Sequence, residues 1–323
     1  MKTTDFSIHW HESAEVWDDF VEHSPQGSVF SSTHFVNALG VPFQMLTVYE
    51  KQKIVAGTVL LLDENGKTLC APYPFTPYQG FLLADNSGKP THRRSAEELL
   101  IGTWFIEQLV EKFGRLSLVH SWRLQDIRPF QWYNYHTPEM GKFEILINYT
   151  GILRLKQFDS FDIYLNSIRS SRRQEMRLAI KKKLTVQMSE DIEILDKLHK
   201  KVFDRQGLVR TERQSDLLKS IAKISLKEGF GRLKVCYMDE MPISAILFIF
   251  DKIRGYYMFA GNDPEFRESG ASTFLMLDLI AECFDRGLEE LDFVGINSPN
   301  RGDYKQSFNA EITPYFITNI NTS

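Results

Sequence analysis

The most informative segment of the sequence is Arg267-Glu268-Ser269-Gly270-Ala271-Ser272. It follows an apolar, aromatic segment, Gly255 to Gly261, that predicts a strand, and it precedes an apolar segment, Thr273 to Arg286, that predicts a helix. The first backbone N–H groups of a helix have no intrahelical partner and carry the positive end of the helix dipole, so they attract anions. The small residues Gly270, Ala271 and Ser272 leave room for a pyrophosphate, and the Arg267 guanidinium has a forked geometry that suits phosphate. The stretch therefore predicts a phosphate site at a strand-to-helix connection.

This spacing, Arg-x-x-Gly-x-small after a strand, resembles the acyl-CoA motif of the GCN5-related acetyltransferases (GNAT). Two later motifs, Leu291-Asp292-Phe293-Val294-Gly295 and Tyr304-Lys305-Gln306-Ser307-Phe308-Asn309, resemble the closing motifs of the Fem-type peptidoglycan aminoacyltransferases and their acyltransferase relatives. The family pattern begins the second motif with Phe and ends it with Gly, where this chain has Tyr304 and Asn309. The resemblance also extends upstream over residues 17–39, 72–83 and 169–183, and so covers most of the chain.

The resemblance implies an α/β fold of tandem GNAT-like domains, each with a mixed, mostly antiparallel sheet flanked by helices. The predicted elements agree with this, because helices, a strand meander, a long helix and further strands occur in the first half and in the same order in the second. We expect an N-terminal GNAT-like domain over residues 1–150 and a C-terminal domain carrying the acyl-donor site over residues 151–323. One helix is expected over 161–183 and one strand over 291–294.

The bulk composition excludes several classes of protein. Among the 323 residues, 38 Lys and Arg face 42 Asp and Glu, so no global basicity points to nucleic acid. The cysteines Cys70, Cys236 and Cys283 are far apart and odd in number, which predicts buried free thiols rather than disulfides or a zinc site. The histidines are scattered, so no metal is expected. No apolar run is long enough to span a membrane and the N-terminus has no leader-like segment, so a cytoplasmic location is expected.

The donor residues follow from the resemblance. It implies that acyl-CoA phosphates bind at Arg267, Gly270, Ala271 and Ser272. In the GNAT fold neighbouring strands splay at this point, and a free backbone N–H polarises the acyl carbonyl. The resemblance therefore implies that Ala260, Gly261 and Asn262 supply that N–H group, which is a large term in acyl transfer. An ordinary strand-to-helix connection would also contain Gly and Ser.

Three further residues are candidates for catalysis. The resemblance implies that Lys305 lies near the reacting carbonyl or an acceptor phosphate; otherwise it is a surface lysine in the C-terminal strand. Asp292 lies within an apolar strand, where a lone charge is costly, so it accepts a proton or hydrogen-bonds a nearby loop. Tyr304 is the alternative proton relay.

The acceptor residues are expected elsewhere in the chain. Seven cations and one acid lie between Arg169 and Lys183, which favours an anionic partner: a phosphorylated acceptor, a lipid pyrophosphate or the acceptor stem of a tRNA. We expect Arg172 and Arg173 to contact it. The aromatic segment around Tyr73 and Tyr78 suits stacking on sugar rings, or core packing. Tyr256 and Tyr257 point to opposite faces of their strand, so at most one faces the site; we take Tyr257.

These observations predict an N-acyltransferase that moves an acyl group from acyl-CoA to an amine of a small or cell-envelope-related acceptor. An aminoacyl-tRNA-dependent aminoacyltransferase acting on a peptidoglycan precursor is one alternative. A non-catalytic module that binds a glycan or peptide in a degenerate GNAT cleft is another.

Overall fold

The computed structural model describes residues 6–69 and 72–321. The chain folds into two compact units. The first contains Met1–Asn148 together with Pro314–Ser323, and the second contains Tyr149–Thr313. Because the chain returns to the first unit after Thr313, its last residues lie outside the second unit, whereas the sequence predicts a second domain that runs to residue 323.

The first unit contains two sets of strands. Its elements in chain order are β1 (Phe6–His9), α1 (Ala14–His23), α2 (Thr33–Ala38), β2 (Phe43–Glu50), β3 (Lys53–Leu61), β4 (Leu82–Leu83), α3 (Thr91–Phe113), β5 (Arg115–Val119), α4 (Arg128–Gln131) and the first part of β6 (Glu144–Arg154). Strands β1 to β4 form an antiparallel sheet in sequence order. Strand β5 pairs instead with the last strand of the chain, at Ile317 to Asn321.

The second unit contains the remaining elements. They are α5 (Phe161–Ser167), α6 (Ser170–Lys181), β7 (Thr185–Ser189), α7 (Ile192–Arg205), α8 (Glu212–Lys227), β8 (Gly231–Met238), β9 (Met241–Phe250), β10 (Arg254–Asn262), α9 (Ala271–Asp285), β11 (Glu290–Asp292), α10 (Pro299–Gln306) and the start of β12 (Glu311–Asn321). Its strands are ordered β6-β11-β10-β9-β8-β7, and all neighbours are antiparallel except β10 and β11. The α/β class and the mixed, mostly antiparallel sheet are thus confirmed.

Each unit has its own apolar core. The core of the second unit packs α9 residues such as Leu275 and Ile280 against sheet residues such as Ile246 and Phe248. Cys236 and Cys283 are buried free thiols, as predicted, and burial raises the pKa of Cys236 to about 12. Cys70 lies outside the described residues.

Two local predictions differ from the structure. The helix expected over 161–183 is two helices, because three backbone carbonyls near the end of α5 (those of Leu165, Asn166 and Ile168) accept hydrogen bonds from Arg173. Lys305 lies on α10 and not in the C-terminal strand. The first difference arises from side-chain contacts that lie outside any periodic pattern, whereas α10 begins with proline at its first position.

Candidate functional site

Strands β10 and β11 pair only at their first residues. Their parallel register joins Arg254 to Glu290 and ends where Tyr256 meets Asp292, whereas β10 continues to Asn262. A bulge between Tyr257 and Phe259 interrupts the pairing of β10 with β9 on its other side. The side of β10 that β11 leaves thus opens from Tyr257 onward. Tyr257 and Met258 therefore join Ala260, Gly261 and Asn262 as candidate backbone donors.

Gly261 has a packing reason to be glycine. A Cβ atom there would lie 2.4 Å from the backbone nitrogen of His199 and 2.5 Å from the carbonyl carbon of Leu198. The α7 backbone thus approaches β10 as closely as a glycine permits. Ala260 is half-buried beside it.

The predicted phosphate loop is a short 3-10 helix, Pro264–Ser269, followed directly by α9. Gly270 has a φ of 83°, in the left-handed region that favours glycine, and α9 begins without a side-chain cap within the described residues. The Ala271 N–H donates to the Ser269 hydroxyl, and Arg267 is exposed. The strand, loop and helix thus occur in the predicted order.

The Ser272 hydroxyl is already hydrogen-bonded within the protein. It donates to Asn262 Oδ1 over 2.6 Å, and the Ser244 hydroxyl donates to the same oxygen over 2.5 Å. These bonds tie the start of α9 to β10 and β9. The side chains of Asn262 and Ser272 therefore stabilise the conformation of the loop between β10 and α9.

Helix α6 covers the start of α9. A Cβ atom on Gly270 would lie 2.3 Å from the Glu175 carbonyl oxygen, so the two backbones touch. The Thr273 hydroxyl donates to the Glu175 carboxylate, and Arg172 Nη1 lies 2.8 Å from the same carboxylate. A carboxylate of the chain itself thus occupies the first turn of α9, where a helix dipole favours negative charge.

Lys305 is held at the loop that follows β11. Its Nζ donates to the carbonyl oxygens of Phe293 over 2.6 Å and Gly295 over 2.8 Å, and lies 5.3 Å from the centre of the Tyr257 ring. Burial lowers its pKa to about 8, and the positive charge of Arg301 acts in the same direction, against the opposing effect of Asp292. An amino group whose pKa is close to neutral pH therefore lies beside β10, the strand whose edge is open.

Asp292 organises the same loop. Its side chain is buried, and Oδ1 accepts hydrogen bonds from the Thr150 hydroxyl over 2.5 Å and from the Val294 N–H over 2.7 Å. The Thr150 hydroxyl in turn accepts from the Gly295 N–H. The sequence left two roles open for Asp292, proton acceptor or hydrogen-bond partner of a nearby loop. The structure contains the hydrogen bond to the loop.

Tyr304 and Tyr257 present protonated phenols. Burial raises the pKa of both hydroxyls well above the usual value. Tyr304 lies beside the Thr273 hydroxyl, and the Arg172 guanidinium lies 5.1 Å from the centre of its ring. Arg172 thus joins α6, α9 and α10.

The other acceptor candidates have varied surroundings. Arg173 bonds the carbonyls at the end of α5, as described above. Tyr78, in the first unit, is only 2% exposed and packs edge-on against Phe30 and Tyr315, which is a core position. Tyr73 is half-buried in the same segment.

Sequence reasoning missed His199. Its Nδ1 accepts a hydrogen bond of 3.0 Å from Arg210, whose other nitrogen donates to Asp196 over 2.6 Å. Burial and the Arg210 charge lower the pKa of His199 to about 4, so the ring is neutral at pH 7. A lone histidine on an amphipathic helix carries no spacing signal, and its partner Arg210 lies beyond the end of α7.

A strand with one open edge, followed by a loop and a helix start, is the arrangement that the sequence motif predicts. Residues 166–306 match the family model described as an acetyltransferase (GNAT) domain. No curated protein is significantly similar to the chain in sequence.

Solved structures resemble nearly the whole chain. FemX has a TM-score of 0.69 at 14% identity, with 96% of each chain covered. A tandem GNAT protein from the clavulanic acid biosynthesis pathway, solved without acetyl-CoA, has a TM-score of 0.54 at 11% identity, covering 97% of this chain and 98% of that one. A conserved protein of unknown function from Bacteroides thetaiotaomicron has a TM-score of 0.55 at 8% identity, covering 98% and 100%. The chain therefore has the fold of these structures, and residues 166–306 match the GNAT domain model.

Proposed function

We propose that this protein catalyses N-acyl transfer from acyl-CoA to an amine of a small or cell-envelope-related acceptor. The observation that carries the proposal is the end of β10–β11 pairing at Tyr256 and Asp292, with the Lys305 ammonium held beside the open strand. Unpaired backbone N–H groups and a fixed cation suit a carbonyl oxygen that gains negative charge.

The donor supplies its acyl group as a thioester. The acceptor amine attacks the carbonyl carbon, a C–N bond forms, the C–S bond breaks, and the thiol leaves with a proton. Lys305 already donates to the carbonyls of Phe293, Val294 and Gly295, so it acts as a fixed charge near the developing oxyanion. Asp292 holds the loop that positions Lys305. Tyr304 is the candidate proton relay, because its phenol can give a proton to the leaving sulfur and regain one from the attacking amine.

The donor phosphates would bind at the start of α9. Exposed Arg267 and the first turn from Gly270 to Ser272 support this placement, although the Ala271 N–H of that turn already donates to the Ser269 hydroxyl. The Glu175 carboxylate opposes it, although Arg172 offsets part of its charge.

Glu175 gives specific support to a second candidate, transfer from an aminoacyl-tRNA. Such a donor need not place a pyrophosphate at the start of α9, where the chain already supplies an anion. On this alternative the open edge and Lys305 keep their roles, and only the donor differs.

Calorimetric titration with CoA, acetyl-CoA and a long-chain acyl-CoA tests the donor. Arg267→Ala should weaken binding about tenfold, the loss expected for one charge-assisted contact. Arg93→Ala removes an exposed arginine of α3 in the first unit and should leave the affinity unchanged. Release of free thiol from acetyl-CoA, measured over a panel of amines, tests turnover.

Two outcomes would contradict the acyl-CoA proposal, and a third would change the assignment of one residue. Absence of binding at millimolar concentration, together with a salt-sensitive gel shift of charged tRNA, would favour the second candidate. Binding of a glycan or peptide without turnover of any donor would favour a non-catalytic module. An unchanged affinity of Arg267→Ala would remove that residue from the site.

A further inference from the structure

The outer face of the C-terminal half of α6 combines exposed cations with exposed aliphatic side chains. Arg177, Lys181, Lys182 and Lys183 are exposed. Among them stand Leu178, 36% exposed, and Ile180, 55% exposed. No helix in the described ranges is long and apolar enough to cross a membrane, so these residues form a surface and not a span.

The other cations of this segment are occupied within the protein. Arg169 forms two hydrogen bonds of 2.8 Å to Asp303, while Arg172 pairs with Glu175 and Arg173 with backbone carbonyls. Arg177, Lys181 and Lys183 have no ion pair within residues 6–69 and 72–321. Lys182 lies 3.4 Å from the Glu268 carbonyl oxygen. The positive charge that remains for a partner thus lies at the C-terminal end of α6.

Helical spacing arranges these side chains as an amphipathic ridge. Ala179 is fully buried, so Arg177 and Lys181, one turn apart, point away from the core, with Leu178 and Ile180 on their two flanks. Met188 on the edge strand β7 is 65% exposed. It shares a sheet face with Val186, which packs against the core cluster that contains Ala179.

We propose that this surface docks on a bilayer that contains anionic lipids. Cations next to exposed aliphatics suit an interface in which charges meet headgroups while Leu178, Ile180 and Met188 enter the acyl boundary. An RNA backbone would use the cations but leave the aliphatics in water. The only acid of α6, Glu175, is turned onto Thr273, so no carboxylate on α6 opposes the approach.

This inference goes beyond the proposed function, because docking requires neither a donor nor turnover. Where both hold, the membrane surface raises the local concentration of an acceptor anchored in it. The two proposals are therefore tested independently. A protein that does not bind vesicles could still bind CoA, and a protein that does not bind CoA could still bind vesicles.

Co-sedimentation of the full chain with two kinds of vesicle tests the proposal. Vesicles of phosphatidylcholine with about 30% phosphatidylglycerol should bind the protein through its cations, and vesicles of phosphatidylcholine alone should not. Arg177→Glu with Lys181→Glu should lower the partition coefficient at least about 25-fold, from about fivefold per cation removed. Lys223→Glu with Lys227→Glu, an exposed pair with the same spacing on α8, is the matched control and should have no more than a small effect.

Ile180→Ser separates a bilayer from an RNA. It should weaken vesicle binding about fivefold and leave the binding of an uncharged tRNA unchanged, whereas Met241→Ser, at an exposed position on β9, should affect neither. Equal binding to both vesicle types, or loss of vesicle binding in the α8 control equal to that in the α6 variant, would overturn the proposal. A protein that binds tRNA in a salt-sensitive manner and does not sediment with anionic vesicles would overturn it in favour of RNA.

Discussion

At the residue scale, Lys305 shows what a resemblance provides and what it omits. The motif Tyr304-Lys305 marked the residue as a candidate, but nothing in the motif indicated that its ammonium would be bonded to the carbonyls of Phe293 and Gly295. Those contacts depend on how α10 packs against the loop after β11. His199 is the opposite case, because its neutral ring depends on Arg210 and Asp196 and left no pattern in the sequence.

Turnover should fall as the pH rises through about 8, because Lys305 loses the charge proposed to stabilise the oxyanion. Lys305→Arg keeps its charge at every accessible pH, so the ratio of wild-type kcat to variant kcat should fall between about pH 7 and 10. The measurement is kcat against pH with acetyl-CoA and an amine that turns over, whose own protonation is subtracted by comparing the two proteins. A wild-type kcat that rises relative to the arginine variant would assign Lys305 the role of a base.

The same pKa has a consequence for stability. Lys305 titrates near 10.5 when unfolded and near 8 when folded, so between these values the unfolded chain binds more protons. The Lys305 contribution therefore makes the folded state more stable as the pH rises from about 8 to about 10.5.

At the element scale, two close helix contacts shape the site. Helix α7 touches β10 at Gly261, and α6 touches the start of α9 at Gly270. The sequence predicted β10 and α9 with boundaries within a few residues, since their apolar periodicity is local information. It identified both glycines as donor-binding residues and could not foresee their helix contacts, because a close approach depends on the partner backbone.

Gly261→Ala should lower the free energy of unfolding by about 1–3 kcal/mol, because the new methyl group overlaps the α7 backbone. Gly88→Ala is the control, since a Cβ there meets no atom within 4 Å. Urea denaturation of the full chain, followed by far-UV circular dichroism, gives the value for each variant. Equal stability of the two variants would show that α7 can move away from β10 without cost.

Glu175→Gln should strengthen the binding of CoA about three- to tenfold if donor phosphates bind at the start of α9, because the variant removes a like charge from that turn. Glu212→Gln, in the exposed first turn of α8, should not change the affinity. Calorimetric titration with CoA provides the comparison. Weaker binding to Glu175→Gln would instead indicate that the carboxylate orders Arg172 and Thr273 for the donor.

At the scale of the whole molecule, each unit buries a neutral histidine. Burial lowers the pKa of His120 to about 3 in the first unit, where Nε2 lies 2.9 Å from the Thr318 hydroxyl, and that of His199 to about 4 in the second. Unfolded imidazoles titrate near 6.5, so the unfolded chain binds more protons between about 6.5 and the lower values. Both units should therefore lose stability as the pH falls below about 6.5.

His120→Gln should remove part of this loss in the first unit, because an amide does not titrate and still offers a hydrogen-bond acceptor to the Phe81 N–H. Between about pH 7 and pH 5 the His120 contribution amounts to roughly 2 kcal/mol. All five tryptophans lie before Asn148, so their fluorescence during urea unfolding reports on the first unit alone. If the free energy of unfolding changes by the same amount between these two pH values in wild type and variant, the assignment to His120 is wrong.

The path of the chain through the two units has a consequence for biosynthesis. Strand β5 pairs with residues 317–321, yet the whole stretch between Val119 and Ile317 is translated between the two partners. The second unit is complete once Thr313 has left the ribosome, whereas the amino-terminal unit must wait for the last residues to emerge. A stop codon after Thr313 should therefore spare the carboxyl-terminal unit and disturb the tryptophan fluorescence of the amino-terminal one.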